Sequence, residues 1–434
     1  MSTVYKAKAP VTGRTVALKI LLPRDDIFEE LVGEERLRQI FIEEAKIMGE
    51  ITHDHVAKII DADDNCSSPY IVLEYFAHSL GSLIGETYQL EKPSRIISVN
   101  KTYEYIRQSL KGLERLHFAG IVHRDIKPFN LMLTNDDRVK IIDFGLSRVR
   151  GEEKMAIPGM QVGSPYYAAP EQERDPQIAD ERADLFSVGI MAYRMVTGQL
   201  VSHKHKEIPL PSTYNSELDD SWDKFLLTSI QKAPGDRFAN AQEMRLELEH
   251  LHAAWAQLSK KQCNFIAMDQ AGPVLSSRKL RETPQFLPRK DLKQTFSLDP
   301  LMRPKSFTPH RFEFTSNELL HCLDMTLLWQ RKGAGYPVTW QKAKDYVEYL
   351  NSRNWQGYSN WRLPTIEELY SLLRPPTLVR DFCYESYFAA DIHWLWSCDA
   401  STKRKAWTVD IQESYVEELD KDGMASVCAV TTMP

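Results

Sequence analysis

The polar residues between His123 and Gly145 constrain this chain more than any other feature. His123-Arg124-Asp125 is followed by Lys127 and Asn130, and then by Asp143-Phe144-Gly145. A hydroxyl attacking a nucleotide's terminal phosphate needs a carboxylate to take its proton, a cation near the phosphate, and oxygen ligands for Mg²⁺. Asp125, Lys127, Asn130 and Asp143 supply that set within one short stretch.

The order H-R-D-x-K-x-x-N, then D-F-G, then Ala169-Pro170-Glu171 resembles the signature set of the eukaryotic-type (Hanks-type) serine/threonine protein kinases, in a bacterial form. The resemblance covers roughly residues 1–256 and implies an α+β, bilobal protein-kinase fold there. Val16-Ala17-Leu18-Lys19 resembles the strand that carries the ATP lysine. Glu44 resembles its partner on the small-lobe helix, with Glu43 as the neighbouring alternative. Ile71 to Phe76 resembles the strand entering the interlobe hinge, where the backbone of Glu74 and Phe76 would hydrogen-bond adenine. Val4 and Ala17 would roof the adenine, and Met132 is a further nucleotide contact. Asp184 resembles the aspartate that braces the catalytic loop, and Arg237 the arginine that pairs with Glu171.

The resemblance implies ATP and Mg²⁺ as cofactors and a role for each residue. Asp125 would accept the substrate proton, Lys127 would sit on the γ-phosphate, Asn130 and Asp143 would hold Mg²⁺, and Lys19 paired with Glu44 would grip the α/β-phosphates. Lysine two residues after the aspartate is the family's Ser/Thr form, so serine and threonine hydroxyls of protein substrates are the expected acceptors. The alternative is a catalytically silent pseudokinase scaffold acting through its C-terminal domain. A small-molecule phosphotransferase is disfavoured by Ala169-Pro170-Glu171 and by Ser164, which resembles a substrate-positioning hydroxyl.

Kinases of this type open with a strand and a G-x-G-x-x-G hairpin. Met1-Ser2-Thr3-Val4-Tyr5-Lys6-Ala7 places Ser2 at the third glycine, so the expectation is that the first two glycines lie upstream of Met1. A chain beginning at Met1 would expose residues 4–9 as a sheet edge and bind ATP less well. Arg124 beside Asp125 usually answers to an activation-segment phosphate, yet Leu146 to Val162 holds a single hydroxyl, Ser147. Either Glu152 or Glu153 supplies the anion, or both are solvated.

With 434 residues, a net charge of −6 and a pI near 6.1, the composition carries no nucleic-acid signature. No apolar run reaches the roughly 18 residues of a membrane span and no signal peptide is apparent, so a cytoplasmic chain with reduced cysteines is expected. The His53/His55, His203/His205 and His250/His252 pairs are spaced i, i+2, unsuited to one helix face and to metal. Tyr103, Ile106, Leu110, Leu113 and Leu116 predict a helix with a core face, and residues 240–258 a last kinase helix.

Residues 257–311 are dense in proline between basic side chains and are expected to be a linker. Residues 312–434 carry seven of the chain's nine tryptophans, enough large apolar surface for a separate core. Thr339 and Thr365 read as helix starts, the second with a capping box to Glu368, and Ala406 to Ile411 reads as a strand. Thr326-Leu327-Leu328-Trp329, Trp361-Arg362-Leu363-Pro364-Thr365, Leu395-Trp396-Ser397 and Ala406-Trp407-Thr408-Val409-Asp410 resemble the domain that closes a bacterial collagen-like adhesin, a C-type-lectin-like α+β fold. Such a domain implies a sensing or docking role with an unknown ligand, while core packing is the plainer reading of each tryptophan.

Overall fold

A computed structural model describes residues 2–22, 33–66, 68–87, 89–143, 148–149, 166–175, 178–202, 204, 206–262, 280–307, 310–374, 387–389 and 392–433. The chain divides into two compact units, Met1–Trp255 and Ala256–Pro434.

The first unit opens with strands β1 (Thr3–Lys8) and β2 (Thr15–Ile20), followed by helix α1 (Glu34–Glu50) and strands β3 (Ile59–Asp63) and β4 (Tyr70–Glu74). The strands form an antiparallel sheet in the order β1-β2-β4-β3. Leu37, Phe41, Glu44 and Met48 recur on one face of α1, and that face is buried. Leu37 and Phe41 pack with Leu21 and Ile71, fixing the helix to the sheet. β1 ends the sheet order, and its Val4 and Tyr5 are exposed.

Beyond Glu74, residues 75–77 lead to strand β5 (His78–Ser79) and the short helix α2 (Leu80–Ile84), which opens on a Ser79–Ser82 capping box. Helix α3 (Val99–Phe118) buries Ile106, Leu110, Leu113 and Leu116, whereas Tyr103 is half-buried and stacked on His252. Then come β6 (Ile121–Val122), β7 (Leu131–Leu133), β8 (Val139–Ile141) and β9 (Arg148–Val149), paired as β5-β7-β8 and β6-β9. Helix α4 (Pro170–Arg174) precedes α5 (Arg182–Thr197), whose residues from Ala183 to Thr197 are all buried. A helix apolar on nearly every side has to run through a core. It approaches α6 (Asp220–Ser229) at Gly189, where a Cβ would lie 2.5 Å from that of Ser229. Helix α7 (Ala241–Gln262) follows.

The second unit departs from the expectation of a linker over 257–311 at residues 257–262 and 280–307, while residues 263–279 lie outside the described residues. Helix α7 continues to Gln262, and residues 280–307 are built into the unit's core. Helix α8 (Arg289–Thr295) starts directly after Pro288, a position where proline's fixed φ helps and its missing N–H costs nothing. Leu292, Leu298 and Met302 from this stretch are buried against Leu320, Trp329 and Trp407. Its basic residues are not all solvated either: Arg281 donates two 2.8 Å bonds to the fully buried Asp399. Proline density obscured the interleaved leucines that decide the matter.

Around that stretch lie two antiparallel sheets. β10 (Phe312–Phe314), β11 (Leu319–Cys322), β12 (Leu327–Gln330) and β16 (Val430–Thr432) form one, and β13 (Trp394–Ala400), β14 (Lys405–Asp410) and β15 (Tyr415–Asp420) the other. Helix α9 (Trp340–Ser352) buries Ala343, Val347 and Leu350, but Thr339 makes no side-chain cap. Trp340 lies half-buried beneath Lys344 and Lys421, outside the buried apolar face of α9. Helix α10 (Ile366–Ser371) has the capping box: Thr365 Oγ accepts from Glu368 N, and Glu368 Oε2 accepts from Thr365 N. Trp329, Trp361, Trp394, Trp396 and Trp407 are buried in the core.

Burial pushes the Cys322 and Cys398 thiols up to about 12. A thiol this far from ionising is a poor nucleophile at neutral pH. Mass spectrometry after a brief maleimide pulse at pH 7.5 is expected to find both unlabelled in the native chain and labelled after guanidinium unfolding. Native labelling at the rate of a free thiol would contradict their burial.

Candidate active site

The loop after β6 is set from beneath by the buried Asp184 near the start of α5. Its carboxylate accepts from the backbone N–H of His123 at 2.9 Å and of Arg124 at 2.8 Å, and from His117 Nε2 at 2.8 Å. Burial alone would raise this carboxyl, but the bonds from His117 and the amides outweigh it and hold Asp184 below its usual range. His123 accepts the Asp125 amide on Nδ1 at 3.2 Å and faces the Ile142 carbonyl with Nε2 at 3.0 Å. The amide can only donate, so the neutral ring carries its proton on Nε2. Arg124 takes a φ of 68°, in the left-handed region that a long side chain rarely adopts. The surrounding bonds hold that backbone in place and present Asp125.

Asp125 Oδ2 accepts from Lys127 Nζ at 2.7 Å and from Asn130 Nδ2 at 3.0 Å. Asn130 Nδ2 also donates to the Asp125 carbonyl at 2.8 Å, across the 3-10 turn Pro128–Asn130. With the amide nitrogen so used, the Asn130 side chain has an oxygen left to offer. The Ile142 amide bonds the Asn130 carbonyl at 3.0 Å, which brings the chain entering Asp143 alongside the loop.

On the sheet above, Lys19 Nζ donates to Glu44 at 2.6 and 2.8 Å and to Asp143 Oδ1 at 3.1 Å. It is Glu44, not Glu43, that α1 turns inward to this lysine. Burial would lower the Lys19 ammonium, but Glu44 and Asp143 outweigh it and hold it above its ordinary value. Asp143 has φ 65° and a half-exposed carboxylate. Strand alternation puts Ala17 on the face that carries Lys19, and the β1 register places Val4 opposite Lys19 on that face. Glu74 closes β4, Phe76 lies in the connection to β5, and Met132 sits half-buried on β7 opposite Ser79.

A third part flanks the loop. Glu171 is locked to Arg237 by bonds of 2.6 and 2.8 Å, and the next residue, Gln172, donates from Nε2 to the Arg124 carbonyl at 2.9 Å. Tyr167 donates to Glu86 at 2.6 Å and accepts from Arg194 at 3.0 Å, a buried network beside this segment. Ser147, Glu152, Glu153 and Ser164 lie outside the described residues.

Gln172, Glu86, Arg194 and His117 were not picked out by sequence reasoning. His117 had a signal in its place one short loop before His123, and Gln172 in following Glu171. Glu86 and Arg194 are brought together only by the fold. Among the described residues, no group of three His, Cys, Asp or Glu is gathered to hold a metal, and no helix is long and apolar enough to cross a membrane.

Residues 1–260 match the protein kinase domain, and residues 323–431 the Lcl C-terminal domain. The chain is 33% identical over 263 residues to a probable serine/threonine-protein kinase of Clostridium acetobutylicum, covering 58% of this chain and 38% of that protein. It is 34% identical over 266 residues to a probable serine/threonine-protein kinase of Streptomyces coelicolor, covering 57% and 38%. Against the serine/threonine-protein kinase Pkn1 of Myxococcus xanthus the identity is 29% over 293 residues, covering 63% and 40%. The chain thus spans well under half the length of these curated relatives. With its catalytic loop, its Lys19–Glu44 pair and a match over residues 1–260, the chain belongs to the protein kinase family.

Proposed function

We propose that the chain is an ATP- and Mg²⁺-dependent protein kinase that phosphorylates serine and threonine hydroxyls, with a C-terminal domain that senses or docks a ligand. One observation carries this reading. Asp125 is held by Lys127 and Asn130, while Lys19, paired with Glu44, reaches Asp143.

In this reading Asp125 orients the acceptor hydroxyl and takes its proton as the oxygen attacks the γ-phosphorus. The new P–O bond forms as the bridging bond to the β-phosphate breaks, and ADP leaves with that electron pair. Lys127 compensates charge on the transferring phosphoryl group, and Lys19 positions the α/β-phosphates. Catalysis here is positioning and electrostatics, so a carboxylate already anchored by a lysine and an asparagine is a suitable base. The Asn130 side-chain oxygen and the Asp143 carboxylate are hard oxygen donors, which fits Mg²⁺. Bound there, the metal would neutralise phosphate charge.

The test is transfer from [γ-³²P]ATP to a generic basic protein, followed by phosphoamino-acid analysis, with Lys19→Met in parallel. Label on serine and threonine, lost in the variant, is expected. Label on tyrosine, or transfer indifferent to Lys19, would contradict the assignment.

A further inference from the structure

A cleft of roughly 910 Å³ opens in the first unit between the C-terminal end of α3 and the start of α7. Lys111, Arg115 and Phe118 line it from α3, spaced i, i+4, i+7 and so on one helix face. Asn240, Ala241, Gln242 and Arg245 line it from α7, with His53 between. Glu114 and Glu181 also line it, so the wall carries charges of both signs, and these are unequally satisfied. Arg245 bonds Glu114 across the cleft and Glu249 on its own helix. Lys111 and Arg115 have no carboxylate partner among the described residues.

One further feature favours an anion, and a neighbouring histidine can report on it. Asn240 Oδ1 takes the Glu243 amide at 2.9 Å, while Ala241 and Gln242, whose amides open a 22-residue helix, lie on the cleft wall. Burial, aided by Arg115 and Lys140, holds His53 below its ordinary value against the opposing pull of Asp54 and Glu114. Phe118, 89% exposed, gives the rim an apolar edge. His117, which also lines the cleft, has a side chain only 7% exposed, and its buried Nδ1 has no partner among the described residues. Its Nε2 holds Asp184, the brace of the catalytic loop.

We propose that this cleft binds a phosphate group, with Lys111 and Arg115 as its cationic contacts. The site lies apart from Lys19 and Asp125, and none of its lining residues belongs to the nucleotide machinery described above. Its closeness to His117 and Asp184 places an occupant one side chain from the loop that presents Asp125.

The experiment uses the full chain labelled with ¹³C at histidine Cε1, with the His53 and His117 resonances assigned from His53→Gln and His117→Gln chains. Inorganic phosphate titrated at constant ionic strength, with chloride as the control anion, is expected to shift the His53 resonance saturably and to raise its apparent pKa. Lys111→Gln/Arg115→Gln is expected to weaken that response by about tenfold or more while the melting temperature is kept. A phosphoserine peptide run beside inorganic phosphate distinguishes a protein-borne phosphate from a free one. An unmoved His53 resonance, or an equal shift in the double variant, would overturn the proposal.

Discussion

An Asp125→Asn chain is expected to bind ATP almost as the native chain does and to transfer its γ-phosphate about 10²–10⁴-fold more slowly. The substitution keeps the shape of the side chain and one oxygen for the bonds from Lys127 Nζ and Asn130 Nδ2. What it removes is the charge that takes the proton. In the proposed reading nucleotide contacts come from elsewhere, chiefly the bonded pair Lys19 and Asp143, so nucleotide affinity and melting temperature should hold while kcat falls. The measurements are kcat from initial rates and a nucleotide dissociation constant by fluorescence, on the native and variant chains together. A kcat within about threefold of native would remove Asp125 from the role of base, whatever else the chain does.

The residues of this site were legible because phosphoryl transfer leaves little freedom in the type and order of polar groups. Asp125, Lys127, Asn130 and Asp143 are close in sequence, and a carboxylate at each end of such a stretch has few structural reasons to exist. Lys19 and Glu44 were legible for a different reason: Val16-Ala17-Leu18-Lys19 and the run around Glu44 resemble the family's lysine strand and its partner helix, and the alternative at Glu43 is one residue away on α1. The supporting shell was harder. Gln172 and Tyr167 act through the Arg124 carbonyl and through Glu86 and Arg194, contacts between residues 27 to 81 positions apart that no local pattern marks.

Residues 280–307 read as a linker for a physical reason. Proline counts against helix interiors and central strands, but Pro288 stands at a helix start, where it is tolerated. Leu287 and Ala400 then share a backbone hydrogen bond of 2.8 Å, and the Trp407 indole donates to the Leu287 carbonyl at 2.8 Å. An irregular segment can therefore be an integral layer of a core when its apolar residues have somewhere to go. The tryptophans announced that core without announcing which distant segment would cover it.

Arg237→Ala is expected to destabilise the first unit by about 3–5 kcal/mol, the range for removing one partner of a buried ion pair. The Arg237 side chain is fully buried, and all five of its N–H donors are engaged. Two go to Glu171 and the others to the carbonyls of Gln231, Arg182 and Lys232, while the guanidinium plane lies 4.8 Å from the centre of the Phe186 ring. Alanine would leave a nearly buried carboxylate and three carbonyls without these partners. Lysine should restore little, because one ammonium cannot reproduce the two parallel bonds to Glu171. Calorimetry should show the melting transition of the first unit lowered by about 10 °C in both variants. Transfer activity should fall as well below that transition, because Gln172 next to Glu171 holds the Arg124 carbonyl and with it the turn that presents Asp125. A loss under about 1 kcal/mol would mean that water reaches Glu171 and that the pair is not the anchor of this segment.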